Sequence, residues 1–384
     1  MKRIILFTRK LDQGGAERQL VALAKGLKQR GRDVRVLSFY DDGFYDRELE
    51  DAGVALYSAR KHGRYDIVGF LFRTIRLFRQ LRPEVVYSFL STPNLLSALL
   101  YPFIGRPRLV WSVRAAYMDM HRYDWLARWT SALENFLSRF AHCIIANSHK
   151  GKAWAIERGF PENRIQVIEN GIDVQYFSPD AEGRRRLRHE WSVAEHERLI
   201  GMAARLDVMK DYPNFLHAAA LLAQRQERLR FVCVGDGTAA YRMELKALAE
   251  RLGLAEKLIW AGARADMPAV FSALEVFVSA SAFGEGFSNS IGESMACGVP
   301  CVVTDVGDSA RIVGDLGVVV PPRDAKALAE GMEQLLQHMD NEPDLQAQVR
   351  ARIAQKFSLE HMIARHEALL YGDTGGQRTK NKGQ

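Results

Sequence analysis

Short apolar runs alternate with longer amphipathic segments along the whole chain. In the first half the apolar runs are RIILFT (3–8), DVRVLSF (33–39), VALYS (54–58), EVVYSFL (84–90), RLVWSV (108–113) and CIIAN (143–147). The second half repeats the rhythm with RLIGMAA (198–204), LRFVCVG (229–235), KLIWAG (257–262), VFVSAS (276–281), CVVTD (301–305) and GVVV (317–320). Runs that are apolar throughout, rather than at every second position, belong to strands buried on both faces. Strand and helix in alternation therefore predict two doubly wound parallel sheets covered by helices, an α/β chain. Between the halves, NGIDVQYFSPDAEGRRRLRHEW (170–191) has no clean period and mixes Gly, Pro and charge, which predicts a linker. Domains are accordingly expected over residues 1–175 and 190–357. A last amphipathic helix is expected over 358–371, and the polar, Gly-rich end 372–384 is expected to be disordered.

The stretch GEGFSNSIGESMACGVPC (284–301) sets two carboxylates, Glu285 and Glu293, eight positions apart across a predicted strand-to-helix junction. Glu285 falls at the carboxyl end of the VFVSAS strand, where ligands of open α/β sheets bind, and a helix opening near Ser288 to Ser290 would point free N–H groups at an anion. Glu293 then lies about one and a half turns into that helix. One carboxylate can hold sugar hydroxyls and the other ribose hydroxyls. The same spacing also fits a surface-loop Glu followed by a helix Glu favoured by the macrodipole.

Composition narrows the class. With 384 residues, 47% hydrophobic and 26% charged, the chain is long enough for two domains. It has no run of eighteen apolar residues, and MKRIILFTRK places only four apolar residues between charges, so the start is expected to be a first strand rather than a signal peptide. Cys143, Cys233, Cys297 and Cys301 lack CxxC spacing and stand in apolar surroundings, which suits reduced thiols of a cytoplasmic protein. The net charge of +7 is uneven: residues 1–170 carry 28 Lys and Arg against 17 Asp and Glu, leaving the remainder acidic. A basic first half suits an anionic partner, and without a nucleic-acid motif a membrane surface is favoured over nucleic acid. FVCVGDGTAA partly mimics a dinucleotide fingerprint through Gly235, Gly237 and Ala240. It follows the second strand of its half, whereas an NAD fingerprint follows the first, so no such cofactor is expected.

Glu285 and Glu293 within EGFSNSIGESMACGVPCVVTD resemble the signature of glycosyltransferase family 4, the retaining nucleotide-sugar enzymes of GT-B architecture. Similar landmarks recur in order: GGAER (14–18), NGID (170–173), ARLDVMKD (204–211) and VGDG (234–237). The resemblance implies two Rossmann-like domains facing across a cleft, acceptor on the first and nucleotide sugar on the second, with the last helix crossing back to the first domain. It implies a diphosphate held by Arg205 and Lys210, sugar contact and transition-state support from Glu285, and no metal or other cofactor. Fixed cations can meet the leaving charge, and no Asp-x-Asp stands at a suitable strand end; Asp41-Asp42 sits in a polar turn. Further substrate contacts are expected from Gly14 and Gly15 at the opening of the first helix, and from Gly235, Gly237 and Arg264. Gly286, Phe287, Ser288, Asn289 and Glu293 complete the donor side. Many relatives carry a His after the strand matching LVWSV; here Arg114 stands there, which leaves the acceptor side open between Arg114 and His121.

YDIVGFLFRTIRLFRQLR (65–82) reads as a basic amphipathic helix, and YMDMHRYDWLARWTSALENFLSRF (117–140) mixes aromatic and cationic side chains as a headgroup region would favour. Both also fit ordinary helices with one face on a sheet. The expected function is transfer of a hexose or N-acetylhexosamine from a UDP-linked donor to a polyprenyl-diphosphate-linked saccharide at the cytoplasmic face of the inner membrane. A non-catalytic nucleotide-sugar-binding partner and a sugar-nucleotide epimerase are the competing readings.

Overall fold

The computed structural model describes residues 2–63, 65–114, 116–117 and 125–372, so His121 and the end 373–384 lie outside it. Among these residues thirteen strands form two sheets. The first sheet contains β1 (Ile4–Thr8), β2 (Val34–Ser38), β3 (Ala55–Ser58), β4 (Val85–Ser88), β5 (Arg108–Val113), β6 (Cys143–Ala146) and β7 (Ile165–Val167) in the order β3-β2-β1-β4-β5-β6-β7. The second contains β8 (Arg198–Ala203), β9 (Leu229–Val234), β10 (Leu258–Gly262), β11 (Val276–Ser279), β12 (Cys301–Thr304) and β13 (Val318–Val320) in the order β10-β9-β8-β11-β12-β13. Pairing is parallel from β3 through β5 and throughout the second sheet. Twelve of the strands fall on the apolar runs read from the sequence; β7, three residues long, was too short to stand out.

Both sheets have the doubly wound order, in which the chain moves outward from a central strand, returns beside it and moves out the other way. The reversal leaves a gap between helices at the carboxyl ends of the two central strands. Those strands are β1 and β4 in one sheet, β8 and β11 in the other. The second core is continuous, with Phe215, Phe231, Phe271 and Phe277 fully buried around β8, β9 and β11.

The chain divides into two compact units, one of Met1–Ser112, Arg139–Ile144 and Glu360–Gln384, the other of Val113–Ser138 and Ile145–Leu359. Helix Leu359–Tyr371 thus belongs, from its second residue, with the first unit at the opposite end of the sequence. Glu367 binds both Arg30 (2.5 Å) and Arg32 (2.5 Å) there, and Lys2 Nζ donates to the Gly372 carbonyl (3.0 Å). Ile363 lies so close to Gly26 that a Cβ on that glycine would meet its Cδ1 at 2.1 Å.

One expectation is overturned. The stretch read as an irregular linker contains helix Ala181–Glu190. Its N-cap Asp180 accepts from the Gly183 N–H (2.8 Å), but only Gly183, Leu187 and Arg188 are buried, so it has no apolar stripe. Charge holds it instead: Arg184 and Arg188 share Glu275, and Arg188 also donates to the carbonyls of Ala194 (2.8 Å) and Glu197 (2.6 Å). Hydrophobic periodicity cannot register a helix attached by ion pairs.

Candidate active site

The two central strands of the second sheet deliver the site. β8 runs into ARLDVMKD, and β11 runs into SAFGEGFSNS. Arg205 and Lys210 therefore leave one side of the switch point while Glu285 leaves the other. The Ala282 N–H donates to the Met209 carbonyl (2.8 Å), tying the two loops together, and the Lys210 ammonium is ion-paired with Glu285. Ser281 Oγ donates to the same carboxylate oxygen (2.8 Å). Glu285 is 7% exposed. Burial by itself would raise its carboxyl, but the Lys210 charge and the hydrogen bonds from Lys210 and Ser281 outweigh it and hold the group below its ordinary value of 4.5. At neutral pH this is an anion that accepts hydrogen bonds, not a proton donor.

Beside the Lys210–Glu285 pair, helix Asn289–Ala296 opens with Ser288 as its N-cap. The Ser288 side chain makes no capping bond and instead meets Ser290 Oγ at 3.3 Å, so it leaves the helix's first N–H groups to other acceptors. Glu293 lies one turn in and is 5% exposed. Its charge is one of the causes, after burial, that push the neighbouring Cys297 thiol up to about 12.

Arg205 differs from Lys210 in being exposed. Its side chain is 70% exposed and, among the described residues, pairs with Asp207 Oδ2 at 3.0 Å. Asp207 Oδ1 accepts the Met209 N–H (3.0 Å), which fixes the one-turn 3-10 helix Val208–Lys210. The VGDG turn supports this loop through its backbone. A Cβ at Gly235, where φ is +134°, would stand 1.9 Å from the Ala204 carbonyl oxygen, so the position requires glycine. The Leu206 N–H donates to Asp236 O (2.9 Å), and Gly237 pairs with Leu206 in an isolated bridge. Tyr212, unremarked in the sequence, donates its buried hydroxyl to Ala204 O (2.6 Å) and pins the loop from the helix side.

Three further groups could not be assigned from sequence. Asn170, first residue of the NGID landmark, accepts from Arg114 Nη1 (2.9 Å) and donates to Asn289 Oδ1 (2.8 Å), so Arg114 reaches the glutamate-bearing helix through an amide relay. Asp308 accepts from the N–H groups of His149 (2.7 Å) and Lys150 (2.9 Å) while its own N–H donates to Gly286 O (2.9 Å). Asn147 approaches Gly286 so closely that a Cβ there would lie 2.5 Å from its Oδ1.

Other expected contacts take different places. The Phe287 ring packs on Phe357 (5.4 Å between centroids), so this residue can offer a ligand its backbone rather than its ring. Arg264 grips Asp266 through Nε and Nη2 (both 2.9 Å) and Glu190 through Nη1 (2.7 Å), a cluster that holds the Asp266 carboxyl well below the usual range. Gly14 is the extended N-cap of helix Gly15–Gln29 in the first unit, with the Glu17 carboxylate folded over it. Among the described residues no three His, Cys, Asp or Glu side chains group so as to hold a metal ion.

Comparison with known proteins accords with this geometry. Residues 13–176 match the model described as Glycosyltransferase Family 4, and residues 197–338 the model described as Glycosyl transferases group 1. An N-acetylgalactosamine-N,N'-diacetylbacillosaminyl-diphospho-undecaprenol 4-alpha-N-acetylgalactosaminyltransferase of Campylobacter jejuni is 26% identical over 352 residues, 88% of this chain and 91% of that one. A lipopolysaccharide core biosynthesis mannosyltransferase of Rhizobium meliloti is 27% identical over 292 residues, 70% of this chain and 80% of that one. The fold matches the crystal structure of Anabaena Alr3699/HepE in complex with UDP-glucose with a TM-score of 0.84, over 96% of this chain and 99% of that one at 23% identity. With the Gly14 turn inside one matched segment and the Lys210–Glu285 pair and Glu293 inside the other, the chain belongs to glycosyltransferase family 4 and is a hexosyltransferase.

Proposed function

We propose that the protein is a retaining, metal-independent transferase that moves a hexose or N-acetylhexosamine from a UDP-sugar to a polyprenyl-diphosphate-linked saccharide during assembly of a cell-envelope polysaccharide. The observation that carries the proposal is the Lys210–Glu285 pair at the switch point of the second sheet, between two loops bonded to each other. Residues 190–357 would bind the donor and residues 1–175 the acceptor. Lys210 and Arg205 would meet the diphosphate charge as the bond from the sugar C1 to the phosphate oxygen breaks. The acceptor hydroxyl would form the new bond to C1 on the same face, its proton passing to the departing phosphate oxygen. Glu285, held ionised, would accept hydrogen bonds from sugar hydroxyls as positive charge grows at C1. Glu293 would accept from the ribose hydroxyls, with the helix opening at Asn289 facing phosphate. In support, the Campylobacter relative is named for a diphospho-undecaprenol-linked saccharide, and the Anabaena structure holds UDP-glucose.

Thermal shift with UDP, GDP, ADP and their sugars in EDTA tests the donor side. Stabilisation by UDP and UDP-sugars alone, weakened in Glu293→Ala, is expected. Preference for another nucleotide, or stabilisation only after divalent metal is restored, would overturn the donor assignment or the metal independence respectively.

Membrane docking is the second part of the proposal. No helix among the described residues is long and apolar enough to cross a membrane. Helix Ile67–Leu81 buries Phe70, Phe78 and Leu81 but leaves Phe72 67% exposed beside an exposed Arg76. Arg73 is engaged internally with the carbonyls of Ala59 and Arg60 and with Asp66. In the other unit, helix Trp125–Ser138 exposes Trp129 (71%), Leu133 and Phe136 at helical spacing. Sedimentation with vesicles containing anionic lipid is expected, reduced several-fold by Phe72→Ser with Arg76→Glu and by Trp129→Ser. Unchanged sedimentation in both variants would sink this part.

A further inference from the structure

A cavity of about 400 Å³ opens in the second unit between helix Tyr212–Ala223, the loop after β11 and the turn into helix Ala325–Asn341. None of the residues assigned above to nucleotide or sugar lines it, although Val208 and Asp211 on its wall flank the turn that carries Lys210. Two observations suggest a binding role. Asn214, 7% exposed, lines the cavity, and its buried Nδ2 has no hydrogen-bond partner among the described residues. A buried amide left without an acceptor is costly unless something else supplies one. Arg323, across the cavity, holds a left-handed backbone with φ +60° that suits glycine, and its guanidinium makes no hydrogen bond or ion pair among the described residues. Its charge reaches Asp211, but its exposed guanidinium spends no hydrogen bond within the described residues, which leaves those donors open to a ligand.

The wall chemistry selects the ligand. Asp211 offers carboxylate acceptors and is itself left-handed at φ +52°; burial raises its carboxyl, with the Asn214 N–H and the Arg323 charge opposing. Asn214 and Arg323 offer donors, His217 either role, and Phe283 with Val208 an apolar face. An acceptor-only group beside amide and guanidinium donors matches adjacent hydroxyls, each of which both gives and takes a hydrogen bond. An aromatic ring beside them suits the C–H face of a pyranose. Opposite charges on Asp211 and Arg323 favour an uncharged sugar over an anion, and the volume lies at the lower end of ordinary small-molecule sites. We propose that this cavity is a second saccharide site that binds a neutral hexopyranose unit, separate from the nucleotide-sugar site. Transfer is not required for such binding, so the proposal stands or falls independently of the function proposed above.

Saturation-transfer-difference NMR on the full chain, with methyl β-D-glucopyranoside, methyl α-D-mannopyranoside and methyl β-D-galactopyranoside as probes, provides the test. The expected result is saturation of the ring protons of at least one probe at millimolar concentration, unaffected by saturating UDP, with at least tenfold weaker affinity in Asn214→Ala and in Arg323→Gly. The Arg323→Gly variant relieves a left-handed backbone, so its melting temperature should equal or exceed that of the parent, and lost binding cannot then be ascribed to unfolding. Three outcomes would each overturn the proposal: no saturation of any probe, displacement by UDP, or binding unchanged in Arg323→Gly.

Discussion

A buried charge pair has opposite consequences for stability and for use. Lys210 and Glu285 are both largely shielded, so removing one leaves the other buried without compensation. Lys210→Met is expected to cost about 3 kcal/mol or more in denaturant unfolding at neutral pH and to raise the Glu285 carboxyl, while transfer falls by orders of magnitude. Glu285→Gln gives a pH signature. Because the folded carboxyl lies below 4.5, its contribution is fully present above that value and is lost as pH falls through the lower folded value. The stability gap between parent and Glu285→Gln should therefore shrink below pH 4.5, and a constant gap across that window would show that Glu285 is not held ionised. At this scale Glu285 and Glu293 are singled out by their spacing across a strand-to-helix junction, and Lys210 by the family resemblance. The sequence does not expose the roles of Ser281 and Tyr212, whose hydrogen bonds to Glu285 and to the Ala204 carbonyl follow no regular period, or of Asn170, whose partners Arg114 and Asn289 are far away in the chain.

At the scale of elements, loops rather than strands carry the site, and they are held by backbone contacts. Gly235→Ala places a methyl against the Ala204 carbonyl at a positive φ, and should cost about 2–3 kcal/mol while raising KM for the donor more than it lowers kcat, since Arg205 rides on the displaced segment. Retained stability with a normal KM would mean that the turn tolerates a side chain. Asp308→Ala removes two N–H acceptors at the start of helix His149–Glu157, and calorimetry should show a loss of about 2 kcal/mol, with Asp308→Asn losing less. Apolar runs located nearly every strand because the inner ones, such as β1, β4 and β11, are buried along their whole length. Helix Ala181–Glu190 escaped notice because ion pairs to Glu275 do the work an apolar stripe does elsewhere.

On the scale of the whole molecule, the chain's end completes its beginning. Met362, Ile363, His366 and Leu370 are buried, and Glu367 joins Arg30 and Arg32. Truncation after Ser358 would remove three large buried apolar side chains, Met362, Ile363 and Leu370, whose burial is worth about 1.5–3 kcal/mol each, a sizeable share of the roughly 5–15 kcal/mol typical of a domain. Near-UV circular dichroism of the truncated chain should show the first unit losing fixed packing, whereas an unchanged spectrum would make the helix dispensable. The sequence alone determined the class of fold, the strand positions and the residues at strand ends, because burial of regular elements writes a period into neighbouring positions. Only the tertiary structure decided strand order, and with it that β8 and β11 lie side by side. It decided too that Lys210 meets Glu285 from 75 residues away and that Asn170 links Arg114 to Asn289. Such pairings depend on how the chain returns through space, and no local period records that.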